Sequence, residues 1–307
     1  MVTDIRTETE GVRVITLTGA DGAELPAWQP GAHIDVCLPN GITRQYSLCG
    51  DIGHHGYWRF AVLLEPDSRG GSTWIHKELR VGEPLLVRGP RNNFPLVPAE
   101  RYVFVAGGIG ITPLLPMIRE VHERGSDWRL TYGGRQRESM AFVEQLAEYG
   151  ERVEVRPQRE FGFLDLNRAI GAPRPGTVVY CCGPSPLIDA VERQCEPWPT
   201  DSLHVERFRP EAKALEGAAT EFDVLLSRSG QRVTVAPDET IVEAVGRAGV
   251  FVPTSCGEGT CGTCETGVLD GEPDHRDSLL TDDEREANDV MMLCCSRSFS
   301  QTLLLDL

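Results

Sequence analysis

Apolar positions along the chain follow three successive rhythms. Over residues 1–98 they fall in short runs, 12–17, 33–38, 58–64 and 84–88, in which β-branched or alternating apolar residues dominate. Asp21-Gly22, Gln29-Pro30-Gly31, Pro39-Asn40-Gly41 and Gly53-His54-His55-Gly56 punctuate them. Many short strands with turn clusters between them predict an antiparallel β-barrel or sandwich. One helix is expected over 72–79, with Ser72 or a neighbour as its cap.

The rhythm changes at Pro98. A short apolar strand at 101–106 runs into Gly107-Gly108-Ile109-Gly110-Ile111-Thr112-Pro113, and a helical run follows at 114–124. Then come a strand at 128–132, a helix near 138–149, strands at 153–155 and 177–181, and a helix at 186–195. Such alternation predicts a parallel sheet with helices on both faces. Residues 210–220 are small and polar with Pro and Gly, as a linker should be. Beyond them, 221–227 and 231–235 read as a hairpin about Ser229-Gly230. A helix opens at Asp238-Glu239-Thr240 and ends near Ala248, and 302–307 makes a closing strand. The expected chain is multidomain: 1–98, 99–209, a linker at 210–220, and 221–307.

Composition changes this picture little; charge and cysteine change it more. The 307 residues, with 40% apolar and 25% charged, are those of an ordinary globular protein of two or three domains. A formal charge of −16 speaks against nucleic acid, whose phosphates need Lys and Arg. From Glu221 onward there are 17 acidic residues against 6 Arg and no Lys, a net of −11. That imbalance serves solubility or steers a basic partner. The N-terminus lacks a signal-peptide pattern, no 18 apolar residues run together, and the ten cysteines show no secreted disulfide framework. A cytoplasmic monomer without a membrane partner is expected.

The cysteines carry the strongest chemistry. Cys256, Cys261, Cys264 and Cys294 stand as C-x4-C-x2-C-x29-C, the plant-type spacing for a [2Fe-2S] cluster on four thiolates. Three sulfurs within nine residues need a tightly curled loop, and Gly257, Gly259 and Gly262 offer backbone that can take φ > 0. Cys294 and Cys295 are adjacent, so on an extended segment only one faces the cluster; Cys294 is chosen. Four thiolates also suit a structural zinc ion, and reduced cysteines can fill a core.

With this C-terminal placement the chain resembles the phthalate dioxygenase reductase family, in which flavin, nicotinamide and [2Fe-2S] domains follow in that order. The resemblance implies a β-grasp ferredoxin domain at the C-terminus. Arg44-Gln45-Tyr46-Ser47 resembles the flavin motif of ferredoxin reductase-type barrels, where the Arg pairs with flavin phosphate, the Tyr packs on the isoalloxazine and the Ser lies near its N5. Gly70-Gly71-Ser72-Thr73 at a helix start resembles the same family's phosphate grip, and amides at a helix N-terminus suit an anion. Gly89-Pro90-Arg91-Asn92-Asn93-Phe94-Pro95 looks like its closing loop. No segment there suits stacking an adenine, so FMN rather than FAD is expected.

Gly108, Gly110, Thr112 and Pro113 resemble the G-x-G-x-T-P loop of the nicotinamide domain, and Cys182-Gly183-Pro184 resembles its C-G-P element. Both end predicted strands, where open α/β sheets bind ligands. Arg135 and Arg137 follow a strand end and could meet coenzyme phosphate; NADH is favoured over NADPH. Ser47, Cys182, Glu206 and Phe208 are implied near flavin or nicotinamide, and thiol catalysis by Cys182 has no partner His. No catalytic acid, base or nucleophile is required of the protein, since the cofactors carry the redox chemistry. The resemblance implies an NADH-dependent reductase component serving a terminal oxygenase. The expected acceptor is a Rieske non-haem iron oxygenase or O-demethylase, with a haem-thiolate monooxygenase as the main alternative. A non-catalytic iron-sulfur redox sensor is the reading from another class.

Overall fold

The computed structural model describes residues 1–210 and 220–307, so the expected linker lies outside the described residues except at its ends. The chain divides into two compact units, Met1–Arg207 and Phe208–Leu307.

The first unit opens with β1 (Val2–Thr9), β2 (Val12–Leu17), β3 (His33–Cys37), β4 (Thr43–Ser47), β5 (Trp58–Leu63), helix α1 (Gly71–Lys77) and β6 (Leu86–Arg91). The strands make two antiparallel three-stranded sheets, ordered β1-β2-β5 and β4-β3-β6, bridged at Leu48 and Phe60. Between them lie Ile15, Leu17, Ile34, Val36, Leu48, Trp58, Phe60 and Val62, all buried, each contributing about 1.5–3 kcal/mol of apolar burial. Strand β1 is not predicted from the sequence because only Val2 on it is fully buried; a polar edge strand carries little alternation. Helix α1 also begins differently from expectation. Its cap is Gly70 in a left-handed conformation, and Ser72 lies inside the helix.

The same unit continues with β7 (Arg101–Gly107), α2 (Ile111–Glu123), β8 (Asp127–Gly134), α3 (Val143–Leu146), β9 (Val153–Pro157), α4 (Gln158–Phe161), α5 (Leu166–Ile170), β10 (Thr177–Cys182), α6 (Ser185–Cys195) and β11 (Leu203–Glu206). The five strands form one sheet in the order β11-β10-β7-β8-β9, and every pairing is parallel. The helix expected over 138–149 is broken. Phe142 adopts φ 63 and its N–H donates to Glu8 Oε1 at 3.2 Å, leaving α3 a single turn.

This sheet and the barrel share a core. Val12, Val14, Cys49, Ala61 and Phe94 belong to the same buried cluster as Tyr102, Phe104, Ile111 and Tyr180. Tyr180 donates from its hydroxyl to Pro95 O at 2.8 Å and accepts from Val97 N at 2.8 Å, while Thr9 donates to Glu138 O. One contiguous core is why the two parts form a single unit.

The second unit contains β12 (Phe222–Leu226), β13 (Arg232–Val235), α7 (Ile241–Arg247), β14 (Glu265–Asp270), β15 (Pro273–Asp274), α8 (Asp282–Ala287), β16 (Val290–Met292), β17 (Arg297–Ser298) and β18 (Thr302–Leu305). Its main sheet runs β13-β12-β18-β14-β16, with β12 and β18 parallel, under α7: a β-grasp arrangement. Both helices open on capping boxes, Thr240 with Glu243 and Thr281 with Glu284. Arg297 is buried, donating to Glu239 O at 2.8 Å, Thr220 O at 2.9 Å and Ala236 O at 3.0 Å. It ties the first strand's entry to the start of α7.

Candidate cofactor sites

The sheet order of the first unit reverses between β7 and β10, and this opens a crevice at their C-terminal ends, where doubly wound sheets bind nucleotides. Two loops meet there backbone to backbone. A Cβ on Gly110 would stand 2.4 Å from Cys182 O, one on Gly107 would be 2.7 Å from Pro184 Cδ, and one on Gly183 would be 2.9 Å from Gly107 Cα. Only glycine permits that approach. Gly108 takes φ 55, and its carbonyl accepts a 3.0 Å hydrogen bond from the buried Tyr132 hydroxyl. Thr112 is buried, with its hydroxyl donating to Ile109 O at 2.9 Å. It therefore braces the loop, and Pro113 lies in the first turn of α2. Arg135 is exposed just past β8, and its carbonyl accepts from Arg159 N at 3.1 Å.

Around the same crevice three polar side chains gather. Strand register places Cys182 beside Glu206, and Glu206 is half-buried with its Oε2 enclosed and unpartnered. Burial raises the Glu206 carboxyl to about 8, partly opposed by the Ser47 hydroxyl. Ser47 Oγ faces it from beyond ordinary hydrogen-bond range, since neither atom has a partner within that range. The Cys182 thiol is pushed well above its usual value by burial first, then by Glu206 and Cys181. A thiol so disposed stays protonated and is no nucleophile. Phe208 opens the second unit, 40% exposed.

On the barrel, Arg44 and the start of α1 come together. Its side chain lies across Gly71, where a Cβ would be 2.8 Å from Arg44 Cγ. Tyr46 stacks on Phe60 with centroids 5.2 Å apart, and burial raises its hydroxyl. Ser72 lies in the first turn of α1. Its hydroxyl donates to Ser68 Oγ at 2.9 Å and accepts from Glu65 N at 3.2 Å, so it is spent within the turn. Ser68 also accepts from Gly70 N and Thr73 N, at 3.2 and 3.3 Å. The closing loop is held by Asn92, which donates to Pro30 O at 2.9 Å. With the Gly70 and Thr73 amides engaged by Ser68, Arg44 and the amides of Gly71 and Ser72 in the first turn of α1 are the donor set for a phosphate monoester, which fits FMN.

In the second unit the four cysteines of the motif converge, none of them in a disulfide. Gly257, Gly259 and Gly262 take φ 70, 70 and 71, so the loop curls through left-handed backbone. Cys256 is lowered by the sulfurs of Cys261 and Cys294, and then by the N–H groups of Glu258 and Thr260, which lie 3.3 and 3.4 Å from its Sγ. Among the described residues no three ligating side chains close on a point for a single ion. The sulfurs instead meet pairwise, Cys256 with Cys261 and Cys294, and Cys264 with Cys294. Four thiols outside any disulfide, with amide donors aimed at one of them, fit a [2Fe-2S] cluster.

The segment carrying Cys294 is not extended. After β16 the chain turns, with Cys295 N and Ser296 N both donating to Met292 O, at 3.3 and 3.0 Å. Alternation therefore cannot choose between the two cysteines. Contact favours Cys294, whose sulfur meets Cys256 and Cys264 as well as Cys295, while Cys295 Sγ lies 3.7 Å from Met292 O and against Gly259 of the same loop.

Several residues escape sequence reading. Tyr132 and Gly107 look like strand residues, and Arg207 looks like surface charge. Asp277 is fully buried behind the cluster loop, where its Oδ2 accepts from Leu279 N and Leu280 N at 3.0 and 2.8 Å and Ser278 N donates to Gly259 O. An Asp-Ser pair before an apolar run is a turn signal, the only hint available.

Comparison with known proteins follows the same division. Residues 104–193 match the oxidoreductase NAD-binding domain, and residues 224–298 the 2Fe-2S iron-sulfur cluster binding domain. The chain is 45% identical to the phenoxybenzoate dioxygenase subunit beta of Ectopseudomonas oleovorans, covering 92% of this chain and 89% of that one. The structure of phthalate dioxygenase reductase, described as modular for electron transfer from pyridine nucleotides to [2Fe-2S], superposes with a TM-score of 0.73 at 36% identity over 100% of this chain and 96% of that one. An intact type IV self-sufficient cytochrome P450 monooxygenase superposes with a TM-score of 0.92 at 47% identity; this chain spans 40% of its length.

Proposed function

Because the chain belongs to the phthalate dioxygenase reductase family, we propose that it is the NADH-dependent reductase component of a two-component oxygenase, delivering electrons to a Rieske non-haem iron oxygenase or O-demethylase. The carrying observation is that one chain holds both a backbone-closed nucleotide crevice, Gly107 and Gly110 against Cys182 and Gly183, and a convergent set of four cysteines outside any disulfide. Domain limits of 1–98, 99–209 and 221–307 suit this division.

When bound, FMN bridges the two-electron chemistry of NADH and the one-electron chemistry of the cluster. Arg44, with the Gly71 and Ser72 amides and with Gly70 and Thr73 shaping the turn around them, would hold its phosphate, and Tyr46 would pack on its ring. Gly108, Gly110, Pro113, Gly183 and Pro184 would seat the dinucleotide, with Arg135 toward its phosphates and Thr112 bracing the loop. Ser47, Cys182 and Glu206 would line the space between flavin and nicotinamide, uncharged at neutral pH and therefore able to exclude water without a charge penalty. Cys256, Cys261, Cys264 and Cys294 would hold the cluster. The acidic excess of the second unit would steer the acceptor. Among the described residues no helix is long and apolar enough to cross a membrane, which suits a cytoplasmic, monomeric component.

Anaerobic addition of NADH to protein carrying one FMN, two iron and two sulfide per chain should bleach the flavin band and then the cluster band. Zinc in place of iron, or a cluster that NADH reduces after complete flavin removal, would sink the reading. A second reading, a haem-thiolate acceptor, is favoured by the cytochrome P450 superposition. Mixing the reduced protein with each class of oxygenase decides between them, the acceptor being the one reduced in a stopped-flow trace whose rate falls as ionic strength rises from about 0.01 to 0.1 M.

A further inference from the structure

Arg207 is the last residue of the first unit and follows Glu206, the end of the edge strand β11. Its side chain is 3% exposed, and its two terminal nitrogens reach separate carboxylates on α6: Nη1 to Asp189 Oδ1 at 2.9 Å and Nη2 to Glu192 Oε2 at 2.7 Å. The carboxylates are 47% and 39% exposed, so the helix offers two wet partners to one dry cation. Burying a guanidinium is costly, and the burial is tolerated where its hydrogen bonds are well made.

The placement matters because of what lies on either side. Helix α6 starts at Ser185, directly after Cys182-Gly183-Pro184. Strand β11 is paired on one side only, by β10, and has only four residues. Such a strand end frays readily unless a side chain fastens it. On extended chain Glu206 and Arg207 point to opposite faces: Glu206 toward Ser47 and Cys182, Arg207 toward α6.

We propose that Arg207 is a positioning residue: by clamping the end of β11 to Asp189 and Glu192 of α6, it holds the Glu206 carboxyl in place against Ser47 and Cys182. The inference rests on the reading of that space as the place where NADH meets the flavin. The groups facing Glu206 are the Ser47 hydroxyl from β4 and the Cys182 thiol from β10, both neutral near pH 8 because burial raises Cys182.

The test uses the full chain carrying FMN and cluster. Flavin reduction by NADH is followed by stopped flow over pH and NADH concentration, in wild type, in Arg207→Met, which keeps bulk and frees two half-exposed carboxylates to water, and in Asp189→Asn/Glu192→Gln, which keeps the cation. Expected in Arg207→Met are a limiting rate at least tenfold lower, an NADH dissociation constant within about twofold, and a pH break moved down from near 8 toward the ordinary carboxyl range. The helix double variant should shift the same quantities the same way by a smaller factor, and it decides the matter if Arg207→Met does not fold. Unchanged limiting rate and pH break in a folded variant would overturn the role of Arg207 alone. A wild-type protein that takes no hydride from NADH would overturn this inference together with the function it rests on.

Discussion

The nucleotide crevice and the cysteine loop are both built around glycines, but the glycines do opposite work. In the crevice, Gly107, Gly110 and Gly183 matter for what they lack: an added Cβ would strike backbone of the facing loop at Gly110 and Gly183 and the Pro184 and Leu187 side chains at Gly107, and the loops hang from two paired strands of a parallel sheet. In the cysteine loop, Gly257 and Gly262 take φ near 70, with nothing within 4 Å of a Cβ added to Gly257; their value is conformational. Gly259 is both left-handed and crowded, a Cβ there standing 2.5 Å from Cys295 Sγ. The crevice is thus shaped by the regular structure its loops extend from. The loop from Pro253 to Cys264 contains no helix or strand, and its order depends on its sulfurs.

The largest effect should come from the loop. Cys294→Ser is expected to lose or badly distort the cluster, read as iron and sulfide content, and to weaken the unfolding transition of the second unit, because binding energy at such sites is folding energy. NADH reduction of the flavin should survive. Cys295→Ser should keep the cluster. A crevice failing along with the loop would break the contrast between the two regions.

Next comes Gly110→Ala. Its Cβ would meet a carbonyl oxygen at 2.4 Å, and overpacking of this kind costs about 1–3 kcal/mol. NADH affinity should fall roughly tenfold or more by isothermal titration, since 1.4 kcal/mol is tenfold, with iron content unchanged. Arg44→Ala removes a charge-assisted contact of about 1.5–3 kcal/mol. FMN should dissociate about ten- to a hundredfold more readily in fluorescence titration, leaving the cysteine site intact.

The smallest effect is a pH slope. Glu206 titrates near 8 in the fold against about 4.3 when free. The unfolded chain therefore loses its proton first, and stability declines from the lower value through the upper as pH rises. Melting of the first unit followed from pH 5 to 9 should show this decline, and Glu206→Gln should flatten it by a few degrees. Equal slopes would mean that the carboxyl is better solvated than its enclosed Oε2 implies.

How far the sequence reached depended on whether a signal was local. Spacing of Cys256, Cys261 and Cys264, the strand-glycine-helix run at 101–124 and the Thr240 capping box all lie within a few residues of themselves, and backbone sterics or hydrogen-bond reach gives each its meaning. These positions come together in the structure. The Ser229-Gly230 hairpin signal and the apolar run at 302–307 likewise announced β12, β13 and β18 of the second unit.

What the sequence could not decide was contact across distance. Helix propensity over 138–149 yields to the bond between Phe142 N and Glu8, 134 positions away. The Ser72 hydroxyl looks open in sequence and is consumed by Ser68 and Glu65 in space. Cys294 and Cys295 are alike as neighbours, and only the turn after Met292 brings one of them to Cys256 and Cys264. Arg207 reads as surface charge until α6 closes over it. Local patterns are set by backbone geometry that each residue carries with it; burial, pKa and partnership belong to pairs of residues, and only the folded chain brings those pairs within reach.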